Sequence, residues 1–292
     1  MIYAAIAILA FLIASYTDLK SREAPETLTT GLILGGLFLH GWESIIISSF
    51  SPIISSAYMA ALAFFFSFFL YKIGAWAGGD VKLFTALTLL LPFYPNSIRP
   101  FIASMGITPI TSNYPFIVSV FILSGIFFML VIPLFYLKKI FAKQAKIPEF
   151  KKKLAFGLVY CVILSPILYL WFGMSRYVTI LFVPMFFALL IIPFKDDIVV
   201  LFFARKKRVA NLNDDDVMAL ESMNKTTITK LGLWRKTFTP PEIKKIKERA
   251  KKYRIATVMV CENLPKYVPY IFISLILNLL AGDVFLHLFS LG

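Results

Sequence analysis

Long apolar blocks, rather than alternating or heptad-spaced apolar positions, dominate this chain. Predominantly apolar stretches of about 17–25 residues are long enough to cross a bilayer as helices. They fall at residues 27–48, 53–73, 115–137, 154–172, 177–194 and 267–290. Two further blocks are less regular. Residues 2–17 are short, and residues 81–91 run into Pro92, Pro95 and Pro100, each of which withholds an N–H from a helix and crowds its preceding turn. Eight crossings result, the fourth the least regular. Residues 2–17 have the length of the apolar part of a secretory leader. No Lys or Arg precedes them, however, while Lys20 and Arg22 follow, so a retained first helix is expected.

The polar positions between the blocks orient them, because cytoplasmic loops near spanning helices keep their Lys and Arg. With the N-terminus outside, 28 of the 30 basic residues fall inside or at the inner boundary: Lys20, Arg22, Lys72, Lys82, seven in residues 138–153 and 17 in residues 195–266. Only Arg99 and Arg176 fall outside. The predicted fold is an all-α polytopic membrane protein of about eight transmembrane helices, with both termini outside and a small α+β cytoplasmic insert before the last helix. Residues 1–194 form the helical bundle, 195–266 the basic insert and 267–292 the final helix.

Within the insert, Thr239-Pro240-Pro241-Glu242 has the pattern of a capping box with prolines in the first turn, opening a helix of about four turns to residue 254. Residues 255–260 read as a strand. Asp214, Asp215 and Asp216 precede residues 217–223, which read as a short helix with acidic residues at its positive end.

Composition agrees with a membrane protein. Of 292 residues 59% are hydrophobic and 16% charged, which excludes disordered and fibrous classes despite a net charge of +14. The positive excess follows from topology and attraction to an anionic inner leaflet, so a lipid bilayer and no nucleic acid is the expected partner surface. Cys161 and Cys261 form no CxxC pair, and His40 and His287 are too few for a ligand set. Neither metal nor cofactor is expected.

Ionisable groups in or beside spanning segments carry the functional signal. Asp18 stands where the first helix leaves the membrane on the cytoplasmic side, and Asp80 where the fourth enters it. Two carboxylates at one depth on neighbouring helices can hold one proton between them, the arrangement by which an aspartic dyad activates water and protonates a leaving group. Taken alone, Asp80 after Gly78-Gly79 reads equally as a helix cap, and Asp18 beside Lys20 as a solvated carboxylate. Their matched depth joins them. The glycines permit a tight turn and the approach of an extended substrate strand. Ala281-Gly282-Asp283-Val284 echoes the Asp80 segment, but at about 1.5 Å per residue Asp283 lies some ~24 Å from the cytoplasmic side and reads as an outer-boundary residue paired with polar neighbours.

The segment Asp18-Leu19-Lys20-Ser21-Arg22-Glu23-Ala24-Pro25-Glu26 resembles the first-aspartate motif of type IV prepilin peptidases, and Ala77-Gly78-Gly79-Asp80-Val81-Lys82-Leu83 resembles the GxGD motif of the same intramembrane aspartyl protease class, with Ala77 in place of its first glycine. Residues 264–285 and the insert before them are similar to the closing helix and insert of archaeal members. The resemblance implies an aspartic endopeptidase that removes short basic leaders from prepilin or preflagellin precursors on the cytoplasmic side. Asp18 and Asp80 would be catalytic, with Gly78, Gly79, Lys82, Lys20, Arg22 and Pro25 supporting. Glu23, Glu26, Asp214, Asp215 and Asp216 could attract the basic leader, whereas helix capping is the plainer reading of the aspartate trio. Bacterial relatives often add a cysteine-bearing loop and N-methyltransferase activity. The chain has neither the cysteine pair nor that loop, so proteolysis alone is expected. The competing readings are an ion-coupled transporter using Asp80, Lys82 and the broken fourth segment, and a non-catalytic pilus-assembly scaffold.

Overall fold

Fourteen regular elements follow one another in the computed structural model, which describes residues 1–21, 25–73, 76–110, 114–172, 176–213, 216–262 and 265–284. The first six helices are α1 (Ile2–Ser21), α2 (Glu26–Ile46), α3 (Ser51–Lys72), α4 (Gly78–Leu90), α5 (Arg99–Ser104) and α6 (Phe116–Ala142). Helices α7 (Phe150–Phe172), α8 (Arg176–Ile191) and α9 (Lys195–Ile198) come next. Strand β1 (Ala204–Arg208), helices α10 (Lys225–Leu231) and α11 (Pro240–Lys252), strand β2 (Thr257–Cys261) and helix α12 (Val268–Ala281) complete the order. Among the described residues three helices are long and apolar enough to cross a membrane: Ile2–Lys20 within α1, α3 and α6. These make the chain a mostly helical, multi-pass membrane protein.

Three blocks yield helices shorter than a bilayer among the described residues, α8 with 16 residues being the longest of them. Helix α4 has 13 residues, about 20 Å at 1.5 Å per residue. It stops because Pro92 excludes Leu91 from helical geometry, and Leu91 adopts φ −130°, ψ 69°. Helix α12 is interrupted after Ala281, where Gly282 takes φ +79° and ψ −140°. Residues 285–290 of the expected span lie outside the described residues.

The described residues group into two compact units. One comprises those of 1–128, 175–181 and 266–292, the other those of 129–174 and 182–265. In the first, α4 is buried nearly all round, through Val81, Leu83, Phe84 and Ala86 to Leu90, which is why its residues show no polar face. Helices α2 and α3 pack on it, and α1 packs on α12. Small side chains permit this closeness: α3 buries Ser56, Ala60, Ala63 and Ser67, and α1 buries Ala4, Ala7, Ala10 and Ala14. The serines do not waste their hydroxyls, since Ser67 donates to the Ala63 carbonyl at 2.7 Å. Helix α12 turns the stripe Val268, Ile271, Ser274, Leu275, Asn278 and Leu279 inward.

In the second unit β1 and β2 pair antiparallel from Ala204 opposite Cys261 to Arg208 opposite Thr257. Ile243, Ile246 and Ala250 of α11 pack with Val258, Val260, Met218 and Phe238 in one apolar cluster. Glu242 reaches back to the Thr239 N–H at 2.8 Å and hydroxyl at 2.7 Å, so α11 opens where its capping residues stand. Residues 217–223 are not the expected helix. Met218 forms an antiparallel bridge with Val260, its amide donates to the Lys236 carbonyl at 2.7 Å, and only Leu220–Ser222 make a 3-10 turn.

Candidate active site

Asp18 lies in the last turn of α1 and is buried, 9% exposed. The Val268 amide, at the first residue of α12 and one of those a helix leaves unpaired at its start, lies within electrostatic range of the Asp18 carboxylate. Its Oδ2 is buried with no hydrogen-bond partner among the described residues. The Lys266 ammonium is within electrostatic range of Asp18, and its Nζ donates to the Leu19 carbonyl.

Asp80 is the third residue of α4 and partly buried. Its Oδ2 accepts the Ala77 N–H at 3.0 Å. Alanine has no side-chain acceptor to return the bond, so only the carboxylate half of a capping box exists here. The capping role foreseen for Asp80 is therefore real, and it leaves Oδ1 for other partners. The Asp18 charge acts on Asp80, so the ends of α1 and α4, 62 positions apart in sequence, bring these two acids into mutual electrostatic range.

Aromatic rings wall the Asp80 side. Trp76 packs at 5.0 Å from Phe84 and 5.2 Å from Tyr267 between ring centres, and Phe128 lies 5.3 Å from Tyr267. The Tyr267 and Ser124 hydroxyls share a hydrogen bond of 2.8 Å, and the Asp80 charge acts on Tyr267. None of Lys266, Tyr267, Val268, Trp76 or Ser124 stands out from the sequence as a site residue. The available signal was a lysine and a tyrosine directly before the Val268-Pro269 start of the last helix.

The remaining expected site residues distribute as follows. Gly78 is the first residue of α4 with helical backbone, and a side chain there would meet no atom within 4 Å. Neither Gly78 nor Gly79 has a positive φ, so the pair does not make the tight turn expected of it, while the space beside Gly78 stays open. Lys82 bonds Glu26 at 2.5 Å, tying α4 to the start of α2, and this lysine holds the exposed Glu26 carboxyl below its ordinary range. Pro25 precedes α2 with φ −57° and ψ 127°. Lys20 is exposed, its ammonium 5.8 Å from the Tyr16 ring centre. Asp216 is held by Lys207 at 2.7 Å and by the Asn213 N–H at 2.8 Å. Arg22, Glu23, Asp214 and Asp215 lie outside the described residues. Asp283 is buried and accepts the Ser119 hydroxyl at 2.7 Å, a polar pairing at the opposite end of α12 from Val268. His40 is buried, stacked on Tyr3 at 4.6 Å, with Nδ1 3.4 Å from Glu43.

Residues 5–134 match the sequence model of the type IV leader peptidase family. The prepilin peptidase EppA of Methanothermobacter thermautotrophicus is 41% identical over 117 residues, 40% of this chain and 30% of that protein. The preflagellin peptidase of Methanococcus voltae is 28% identical over 152 residues, 52% and 64% of the two chains. That of Methanocaldococcus jannaschii is 30% identical over 123 residues, 42% and 51%. The chain thus spans between 30% and 64% of the length of these relatives. Asp18 and Asp80 both fall inside the family-matched residues, and residues 266–268 fall outside them.

Proposed function

From the match of residues 5–134, which carry Asp18 and Asp80, to the type IV leader peptidase family model, we propose that the chain is an aspartic endopeptidase cutting basic leaders from prepilin or preflagellin precursors. The observation that carries this reading is the convergence of two carboxylates from separate helices, one of which keeps a buried oxygen without a partner among the described residues. Like charges so placed favour one shared proton.

In the reaction the ionised carboxylate takes a proton from a water, whose oxygen bonds to the carbonyl carbon of the leader junction. The protonated carboxyl gives its proton to the carbonyl oxygen. Collapse of the tetrahedral intermediate breaks the C–N bond as the first acid passes its newly acquired proton to the leaving nitrogen, and the hydroxyl proton returns to the second. Both acids end as they began. No step draws on a metal.

The open space beside Gly78 suits an extended junction approaching Asp80. In this reading the chain crosses the membrane eight times with both termini outside, and the dyad and the basic insert face an anionic cytoplasmic leaflet. Glu26 and Asp216 already hold Lys82 and Lys207, so a basic leader would bind them by exchange for those lysines, and Glu23, Asp214 and Asp215 complete the acidic set proposed to attract it. Lys20, Arg22, Pro25 and Lys82 are the supporting residues of this reading.

The test is processing of a leader-bearing substrate in membranes. Asp18→Asn and Asp80→Asn should each abolish cleavage, a fall of at least about 10³-fold in rate, with the protein still inserted. Processing retained in either variant overturns the dyad.

A further inference from the structure

Three consecutive residues at the start of α12 touch both acid-bearing segments. The Val268 amide lies within electrostatic range of the Asp18 carboxylate. Lys266 crosses to the Leu19 carbonyl, beside Asp18 on α1. The Tyr267 ring packs against Trp76, four residues before Asp80, while its hydroxyl is held by Ser124 of α6. Pro269, the second residue of α12, has no N–H, so Val268 supplies a donor that the following residue cannot.

We propose that Lys266, Tyr267 and Val268 are positioning residues for the dyad, with the start of the last helix acting as the jig that sets Asp18 and Asp80 against each other. This rests on the dyad reading and extends it beyond the family-matched residues 5–134. The geometry explains why three different chemistries stand in a row. An amide at a helix start faces one carboxylate, and an ammonium pins the last turn of the helix that carries it. A buried ring sets the distance to the turn that leads into the other acid. Errors of about 1 Å in such a constellation cost about a hundredfold in rate, so rigid support from outside the acid-bearing helices has a direct kinetic value. Lys266 can be tested without deleting a backbone amide.

In membranes, Lys266→Met should lower kcat by about tenfold or more while KM for a leader-bearing substrate stays within about twofold, and Lys266→Arg should recover most of the loss. A role confined to holding the fold would not give that split with rescue. Independently of activity, a chain with Cys161→Ala, Cys261→Ala, Leu19→Cys and Lys266→Cys should be joined internally by a short bifunctional thiol reagent. Absence of that cross-link overturns the proposal and leaves the dyad reading standing. So does a kcat within about twofold of the unmodified protein, or a loss carried by KM alone. Absence of cleavage by the unmodified protein overturns the protease reading, and the positioning role with it. Cleavage that survives Asp18→Asn overturns both in the same way.

Discussion

Single side chains in this protein act mostly through what they are denied. Asp80 is joined to the Ala77 amide but receives nothing back, and Asp18 has a buried oxygen with no hydrogen-bond partner among the described residues. Glu242 is the opposite case. Hydrogen bonds from the Thr239 hydroxyl and amide, and then from Arg235, pull its carboxyl down to about 2, against an ordinary glutamate value near ~4.3. A carboxylate depressed in the folded state contributes stability above its unfolded value and loses it as the pH falls toward the folded one. Protection of the α11 amides against hydrogen exchange in the full chain should therefore exceed that of Glu242→Gln at pH 6, and the difference should vanish between about pH 4.5 and 2. A constant difference across that range would mean the bonds to Thr239 and Arg235 do not depend on ionisation. The proximity of Asp18 and Asp80 was legible because acids at the rim of apolar blocks are conspicuous. The nearness of the Val268 amide to Asp18 was not, since a backbone group leaves no mark in a sequence and the two lie 250 positions apart.

At the scale of elements, apolar blocks translate into helices within a few residues wherever no proline or glycine intervenes, as the agreement of block 53–73 with α3 and of 115–137 with the first part of α6 illustrates. The failures have physical causes. Residues 217–223 carry a helical pattern, yet the amides of Met218 and Ala219 are claimed by the Lys236 and Met259 carbonyls, and pairing alongside β2 overrides local preference. Helix α12 is interrupted where Gly282 turns the chain to meet Ile110, whose amide donates to the Ala281 carbonyl at 3.2 Å and whose carbonyl accepts the Asp283 amide at 2.5 Å. A methyl group at position 282 would stand 2.1 Å from the Ile110 oxygen, and φ +79° is itself unfavourable for any other residue. Gly282→Ala should destabilise the protein by roughly 2–3 kcal/mol, combining backbone strain with the displaced contact. Thermal unfolding in detergent should show a melting midpoint lower by several degrees, and an unchanged midpoint would show that the 110 segment yields at no cost.

At the scale of the whole molecule, charge and apolarity are expected to divide the labour: apolar blocks favour lipid, and Lys and Arg between them bias which side their loops keep to. A chain with Cys161→Ala and Cys261→Ala, given a single new cysteine, tests that division. Met105→Cys should react with an impermeant thiol reagent in intact cells, and Lys146→Cys only after the membrane is opened. The reverse pattern would put the basic loops, and the proposed chemistry, on the wrong side. The proposed positioning by the last helix also bears on biogenesis. Residues 266–268 are synthesised some 190 positions after Asp80, so on the proposed reading a nascent chain carries both acids before the residues that align them, and cleavage is expected only once the final helix has docked.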